Sequence, residues 1–172
     1  MDGRTIFTLC AAALVIGLVP GSIVAQQSTL KQQLVGAWTY VSEEATSANG
    51  AKRPGPFADN SKGILILDAS GQYAEVTGKS DRPKLKSFSL GDRSQIMAQE
   101  LGTAAIDFHA NYGSWSVNEG DRTLTLTFEV ALVPNNEGTE VKATASVTGD
   151  ELKLTVANVN GNKLDLVYRR AR

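Results

Sequence analysis

Cysteine is all but missing: Cys10 is the only one in 172 residues, and it sits inside an apolar run near the N-terminus. A chain that starts after that run has no disulfide, no thiolate nucleophile and no cysteine metal site, so stability must come from the core and from sheet closure. Histidine is equally scarce. With His109 alone, neither a Ser-His-Asp triad nor a multi-histidine zinc site can be built. A single axial haem ligand is the one such role left open, and no cofactor or metal is expected. A charge excess is lacking too: 17 Lys+Arg stand against 18 Asp+Glu, a net charge of −1, which gives no footprint for nucleic acid. The run Ile6 to Val19 has 14 residues, short of the roughly 20 needed to cross hydrocarbon.

That run reads as the core of a secretory signal. Arg4 precedes it, Pro20-Gly21-Ser22 follows it, and Ile23-Val24-Ala25 ends on the small residue that cleavage requires. The expected organisation is a leader over residues 1–25 and one domain over residues 26–172, periplasmic or secreted, with no stable membrane insertion after processing. Loss of the leader removes Arg4 and Asp2 together, leaving the net charge unchanged.

Residues 26–33 are polar and read as a short lead-in turn. The first strand runs roughly from Gly36 to Glu44. Alternation there puts Trp38, Tyr40 and Ser42 on one face and Ala37, Thr39 and Val41 on the other. Gly36 lets the chain bend or another backbone approach; Trp38 is either an ordinary core residue or the plug of a narrow barrel end. Residues 45–62 collect Ser, Asn, Gly and Pro, which is loop chemistry, and Phe57 there either anchors the loop or lines a mouth. Gly63 to Leu67 is a continuous apolar run, the pattern of a strand covered on both faces. Asp68 to Gly71 turns it into a strand from Gln72 to Thr77, and residues 79–90 form a second loop.

One helix is visible. Asp92 can cap it, Gln95 can complete a capping box, and Met97, Leu101, Ala104, Ala105 and Phe108 recur at helical spacing. His109 then falls near its C-terminal end, where the helix dipole favours a cation. The last third alternates strand and turn: Tyr112 to Val117, Arg122 to Val133, Thr139 to Thr148, Leu152 to Val156 and Leu164 to Arg170. Leu124, Leu126, Phe128, Val130 and Leu132 share one face of the second of these. Eight short strands joined mostly as hairpins predict an all-β, eight-stranded up-and-down antiparallel barrel, with one helix between the third and fourth strands.

An ordered set of segments runs through nearly the whole mature chain: LVGAWTYVS, KGILILDASGQY, DRPK, the helix, NYGSWSVNEGDRTLTLTFE, PNNEG, GDELKLT and LVYRR. In this order they resemble the lipocalin-like domain family of bacteria and fungi, a calycin-type barrel. The resemblance implies an interior site and a Gly-x-Trp opening in which Gly36 and Trp38 are structural anchors. It also implies that an arginine of the last strand packs on Trp38, a role for Arg170 with Arg169 as the fallback. In true lipocalins the helix follows the last strand; here it falls earlier, and the loop and receptor functions of lipocalins do not carry over.

Aromatic residues are the best lead to a site, because apolar pockets with a few polar handles are the usual small-molecule sites. The candidate ligand contacts are Trp38, Tyr40, Tyr73, Phe108 and Tyr112, with Arg82 at the mouth. Each aromatic is also an ordinary core candidate. Both long loops leave one rim of such a barrel, so Arg82, Lys84 and Lys86 would offer positive charge there, to an acidic head group or merely to solvent. Glu75 and Glu129 either face a cavity, where a raised pKa suits general acid or base work, or face water, the more usual place for a carboxylate. The expected function is a secreted or periplasmic protein that holds a small apolar or amphipathic molecule inside the barrel. One alternative is an isomerase, cyclase or lyase that moves a proton in the same cavity, with a buried carboxylate within reach of a tyrosine as its mark. Another is a filled barrel whose outside meets a partner.

Processing after Ala25 predicts an exported protein that begins near Gln26. N-terminal sequencing of the exported form checks it; Met1 retained on a membrane-bound product would refute it.

Overall fold

The computed structural model describes residues 28–85 and 95–172. The expected leader with Cys10 and Ala25, together with Lys86, Phe88 and Asp92, lies outside these residues, as does the side chain of Met97. The strands are β1 (Gly36–Thr46), β2 (Lys52–Pro54), β3 (Ser61–Leu67), β4 (Gln72–Lys79), β5 (Phe108–Asn118), β6 (Thr123–Ala131), β7 (Glu140–Thr148), β8 (Glu151–Ala157) and β9 (Lys163–Arg170). Two α-helices accompany them, α1 (Leu30–Leu34) and α2 (Gln95–Ile106). From β3 to β9 each strand pairs with the next, β1 pairs with β3, and β9 pairs back with β1. The result is a closed antiparallel barrel of eight strands. The short β2 is an extra strand laid on the end of β1, where Pro54 stands opposite Glu44.

Strand direction alternates, so the tight turns at 68–71, 119–122 and 149–150 lie at one end. Connections 47–60 and 80–107 leave the other. The short-turn end is closed by α1, which forms where a plain turn was expected. Thr29 caps it in a capping box with Gln32, and Leu30 and Leu34 are buried. The helix docks because Glu119 in the β5–β6 turn accepts the backbone N–H groups of Leu30 and Lys31, both at 2.8 Å. Those N–H groups have no partner within a helix, and a carboxylate beside a helix N-terminus is favoured by the dipole.

The carbonyls at the other end of α1 are taken up by the anchor residues. Trp38 donates its indole N–H to Leu34 O at 2.8 Å. Arg170 donates to Gln33 O at 2.9 Å and Val35 O at 3.2 Å, while its guanidinium lies 4.1 Å from the Trp38 ring centre. Gly36 has φ +134°, and a Cβ there would stand 3.1 Å from the Arg170 guanidinium. Glycine is needed on both counts. Arg170, rather than Arg169, therefore packs on the tryptophan, opposite it in the β1–β9 ladder. At the same end Trp115 donates to Asp68 O and holds the β3–β4 turn.

Several sequence expectations change. The Gly63–Leu67 run is covered on one face only: Leu65 and Leu67 are buried, whereas Ile64 and Ile66 are exposed on the outer surface. In β6 an extra residue, Glu129, interrupts the ladder with β5 between Tyr112 and Gly113. This bulge turns Val130 outward, 47% exposed, after Leu124, Leu126 and Phe128 point in; Leu132, beyond the strand, is exposed too. The α2 face is weaker than its spacing suggests, since Leu101 is exposed and the helix stops at Ile106. Phe108 and His109 belong to β5, opposite Gly78 and Thr77. Ladder pairing with β4 overrides helical periodicity there, and His109 owes nothing to a helix end.

Removal of the anchor ring, Trp38→Ala, is expected to lower stability by about 3–5 kcal/mol, read by urea unfolding. A cycle pairing Trp38→Phe with Arg170→Lys should show coupling of at least about 0.5 kcal/mol. Additive effects would mean that the stacked guanidinium does not lock the strands together.

Candidate functional site

Above the Trp38 plug the barrel encloses a cavity of about 300 Å³. One wall is apolar: Leu126 and Phe128 of β6, Val141 and Ala143 of β7, Leu154 and Val156 of β8, and Leu164 and Leu166 of β9. Strict alternation in these strands points every second residue inward. The opposite wall is polar, with Tyr40 and Glu43 of β1, Glu75 and Thr77 of β4, His109 of β5 and Tyr168 of β9. Pro56 and Phe57 of the 47–60 connection cover this wall.

Glu43 is inside because β1 breaks its own rhythm. The β1–β9 register skips Val41, pairing Tyr40 with Tyr168 and Ser42 with Val167. Before the skip Trp38 and Tyr40 are buried; after it Glu43 and Ala45 are. The odd-numbered residues have become the inward set, because one extra residue reverses the side-chain phase. Glu43 is only 7% exposed. Its carboxylate accepts the Phe57 backbone N–H, and the loop presses so closely on it that a Cβ at Gly55 would meet the side chain at 2.5 Å. Tyr40 donates its hydroxyl to Phe57 O at 2.9 Å, so two residues of one strand hold the same loop residue over the cavity.

Glu75 is the centre of a network. Tyr168 donates to Oε1 at 2.8 Å, His109 Nε2 lies 3.4 Å from Oε2, and Asn111 Nδ2 lies 3.4 Å from Oε2. Burial alone would raise the Glu75 pKa, but the His109 hydrogen bond and charge outweigh it and hold the carboxyl below its ordinary 4.5. The same hydrogen bond lifts His109 above its ordinary 6.5 against the opposing effect of burial. Glu43 behaves differently: burial pushes its carboxyl above the usual range, the Phe57 N–H only partly offsetting it, and the nearby Glu75 adds to the rise. Burial, followed by Glu75, keeps the Tyr168 phenol protonated far above neutral pH. Asn111 Nδ2 also stands 2.7 Å from His109 Nε2, and its Oδ1 has no hydrogen-bond partner. Neutral His109 can accept that amide at Nε2; protonated His109 has its single Nε2 hydrogen to donate to Glu75.

The sequence-derived candidates divide. Tyr40 lines the cavity, edge-on to Tyr168 with ring centres 5.9 Å apart. Trp38 and Tyr73 are buried outside its lining, Trp38 as the plug and Tyr73 packed near Phe128 at 6.5 Å. Tyr112 points outward, 46% exposed. It follows Asn111, whose buried side chain uses the inward phase. Arg82 stacks on Phe108 at 4.6 Å beside Lys62 and Lys79, in a separate cleft that shares no residue with the cavity. Lys84 is exposed, so neither Arg82 nor Lys84 enters the interior; Lys86 lies outside the described residues. Of the two carboxylates considered, Glu129 is exposed, as the bulge residue, whereas Glu75 is interior. Glu43, His109 and Tyr168 were not expected in the site. Tyr168 had a sequence signal, its phase with Leu164 and Leu166; Glu43 had none, since the bulge has no glycine to mark it. Among the described residues no group of three or more His, Cys, Asp or Glu could hold a metal ion.

A family model described as a lipocalin-like domain matches residues 35–168. No curated protein sequence matches the chain. Similar solved structures include a lipocalin-like protein from Bacteroides uniformis, 12% identical over 81% of this chain and 99% of that one, with a TM-score of 0.43. Fatty-acid-binding protein 1 of Echinococcus granulosus is 13% identical over 82% and 99% of the two chains, with a TM-score of 0.38. Secretory abundant heat soluble protein 4 of Ramazzottius varieornatus is 17% identical over 85% and 99%, with a TM-score of 0.40.

The Glu75–His109 pair fixes a pH dependence. Glu75, lowered in the fold, contributes stability that is complete above pH 4.5 and is lost as pH falls through its folded value. His109, raised in the fold, contributes stability that is complete below pH 6.5 and is lost as pH rises through its folded value. The stability difference between wild type and His109→Gln should therefore be largest between pH 4.5 and 6.5 and shrink at alkaline pH. Urea unfolding across this range checks it, and a difference that does not vary with pH would show that the pair is not ionised.

Proposed function

We propose that this chain, which belongs to the lipocalin-like domain family, binds a small and mostly apolar molecule inside its barrel. The observation that carries this reading is the interior cavity of about 300 Å³, apolar on one wall and polar on the other. That volume is at the lower end of small-molecule sites, which run from about 300 to 1,000 Å³, so the ligand is compact or presents a single short tail. Its apolar body would lie against Leu126, Val141, Leu154 and Leu166, and its polar end against Glu43, Glu75 and His109. Export by the leader that the sequence predicts over residues 1–25 would put the protein outside the cytoplasm as a carrier or scavenger of such molecules.

A second reading is proton-transfer catalysis on the same ligand, as an isomerase, cyclase or lyase. It is favoured by the 2.8 Å contact between the buried Glu75 and the Tyr168 hydroxyl, with His109 beside the same carboxylate. A carboxylate, a phenol and an imidazole in one network can give and take protons at neighbouring atoms of a bound substrate.

The neutral fluorophore N-phenyl-1-naphthylamine should brighten on binding wild type. Ala143→Phe, which fills the cavity from β7, should weaken that binding at least about tenfold, a loss of roughly 1.4 kcal/mol, while the β-sheet circular dichroism is unchanged. Equal binding by the two proteins would put the probe outside the barrel. Native mass spectrometry of protein from its own host then identifies the ligand. Conversion of that ligand by wild type, lost in Glu75→Gln and Tyr168→Phe, would establish the catalytic reading over the carrier.

A further inference from the structure

The charges inside the cavity do not balance. Its lining holds two carboxylates, Glu43 and Glu75, and one imidazole, His109; among the described residues no lysine or arginine lines it. Glu75 and His109 face one another at 3.4 Å and neutralise as a pair. Glu43 has the Phe57 backbone N–H as its hydrogen-bond partner, and none of the ion pairs among the described residues includes it. With Glu43 ionised the polar wall therefore carries one uncompensated negative charge in an apolar chamber. An unpaired buried charge is costly and becomes favourable only with a partner or by taking up a proton.

Resting on the reading of the cavity as a ligand site, we infer that its ligand is a lipophilic monocation, an organic ammonium on a compact apolar body, with the ammonium held by Glu43. Three features fit a cation at that point. The carboxylate is pinned by the Phe57 N–H and by the close packing of Gly55, so it is positioned before any ligand arrives. Aromatic rings line the same cavity: Tyr40 and Tyr168, set edge to face, and Phe57. Ring faces attract an ammonium group in addition to the carboxylate. Arg82, which could have received an acidic head, lies in the separate outer cleft around Phe108, and Lys84 is exposed. The acidic head group that the basic loop suggested is thus opposed by the interior, where it would meet two carboxylates.

The inference also sets a pH dependence. The titratable groups facing Glu43 are Tyr40 on its own strand, Glu75 on β4, His109 on β5 and Tyr168 on β9, and Asp59 in the covering loop acts on Tyr40. Arg53 of β2 lines the neighbouring rim cleft. Both tyrosines stay protonated, because burial raises them far above neutral pH. Burial raises the Glu43 carboxyl above its ordinary range, and an ammonium beside it would favour the carboxylate. Cation binding should therefore weaken as pH falls through the range in which Glu43 takes up a proton.

The experiment compares three probes that share one tail: octylamine, octanol and octanoate. Isothermal titration into wild type at pH 7.5 should give octylammonium at least about tenfold tighter binding than octanoate, with octanol between them. Glu43→Gln keeps the Phe57 hydrogen bond and should lower the ratio of amine to alcohol affinity at least about tenfold. In wild type, the preference for octylamine over octanol should shrink as pH is lowered through the range in which Glu43 takes up a proton. The inference is overturned if octanoate binds as well as the amine, or if the amine preference survives in Glu43→Gln. Three probes bound equally would remove the ammonium while leaving an interior apolar site. No binding by any probe, in a protein that also fails to take up N-phenyl-1-naphthylamine, would remove both.

Discussion

The contact on which the rest depends is the stack of Arg170 on Trp38. Barrel closure requires the last strand to find the first, across more than a hundred residues of intervening chain, and that closure entropy must be offset by contacts made at the join. The stack sits at the join, with Trp38 and Arg170 opposite one another in the β1–β9 ladder. Three otherwise unmatched carbonyls, of Gln33, Leu34 and Val35, receive their hydrogen bonds from the same two side chains. One interaction thereby pairs the terminal strands, satisfies the end of α1 and seals the floor. Glu119 completes the seal from the opposite end of that helix.

Once the floor is closed, the interior can be asymmetric. Strands β6 to β9 contribute Leu, Val, Ala and Phe to one wall, so burial there is favourable and non-directional. The polar wall is tolerated because its members satisfy one another: Tyr168, His109 and Asn111 all converge on Glu75. Such a network specifies geometry at the cost of desolvating its charges. Glu43 is the member that the protein's own groups match least. The chemistry of the site turns on that residue and on the loop that covers it.

The two bulges show how a local irregularity places function. The extra residue Val41 turns Glu43 and Ala45 inward. The extra residue Glu129 turns Val130 out, and with it ends the apolar wall contributed by β6. A bulge re-aims every residue beyond it while leaving the sheet intact. Both bulges fall toward the end of the barrel from which the long connections leave, so the closed end keeps simple alternation and the open end departs from it.

Alternating apolar residues and regularly spaced turns determined the barrel, its strand order and the place of α2, because period-two patterning and turn chemistry are local properties of the chain. The Gly36-Ala37-Trp38 step and the phase of Arg170 with Tyr168, Leu166 and Leu164 were legible for the same reason. The site was legible only in part: Tyr40 and Glu75 could be named as candidates, because their strands alternate without interruption up to those residues. Tyr112, Phe108 and Arg82 were misplaced, since strand pairing rather than residue type decides which way a side chain faces. Burial of Glu43, the capture of His109 by Glu75 and the placing of Arg82 in an outer cleft were decided by the tertiary structure. Each depends on register between strands far apart in sequence, and a one-residue slip that no local pattern marks is enough to carry a carboxylate from solvent into the core.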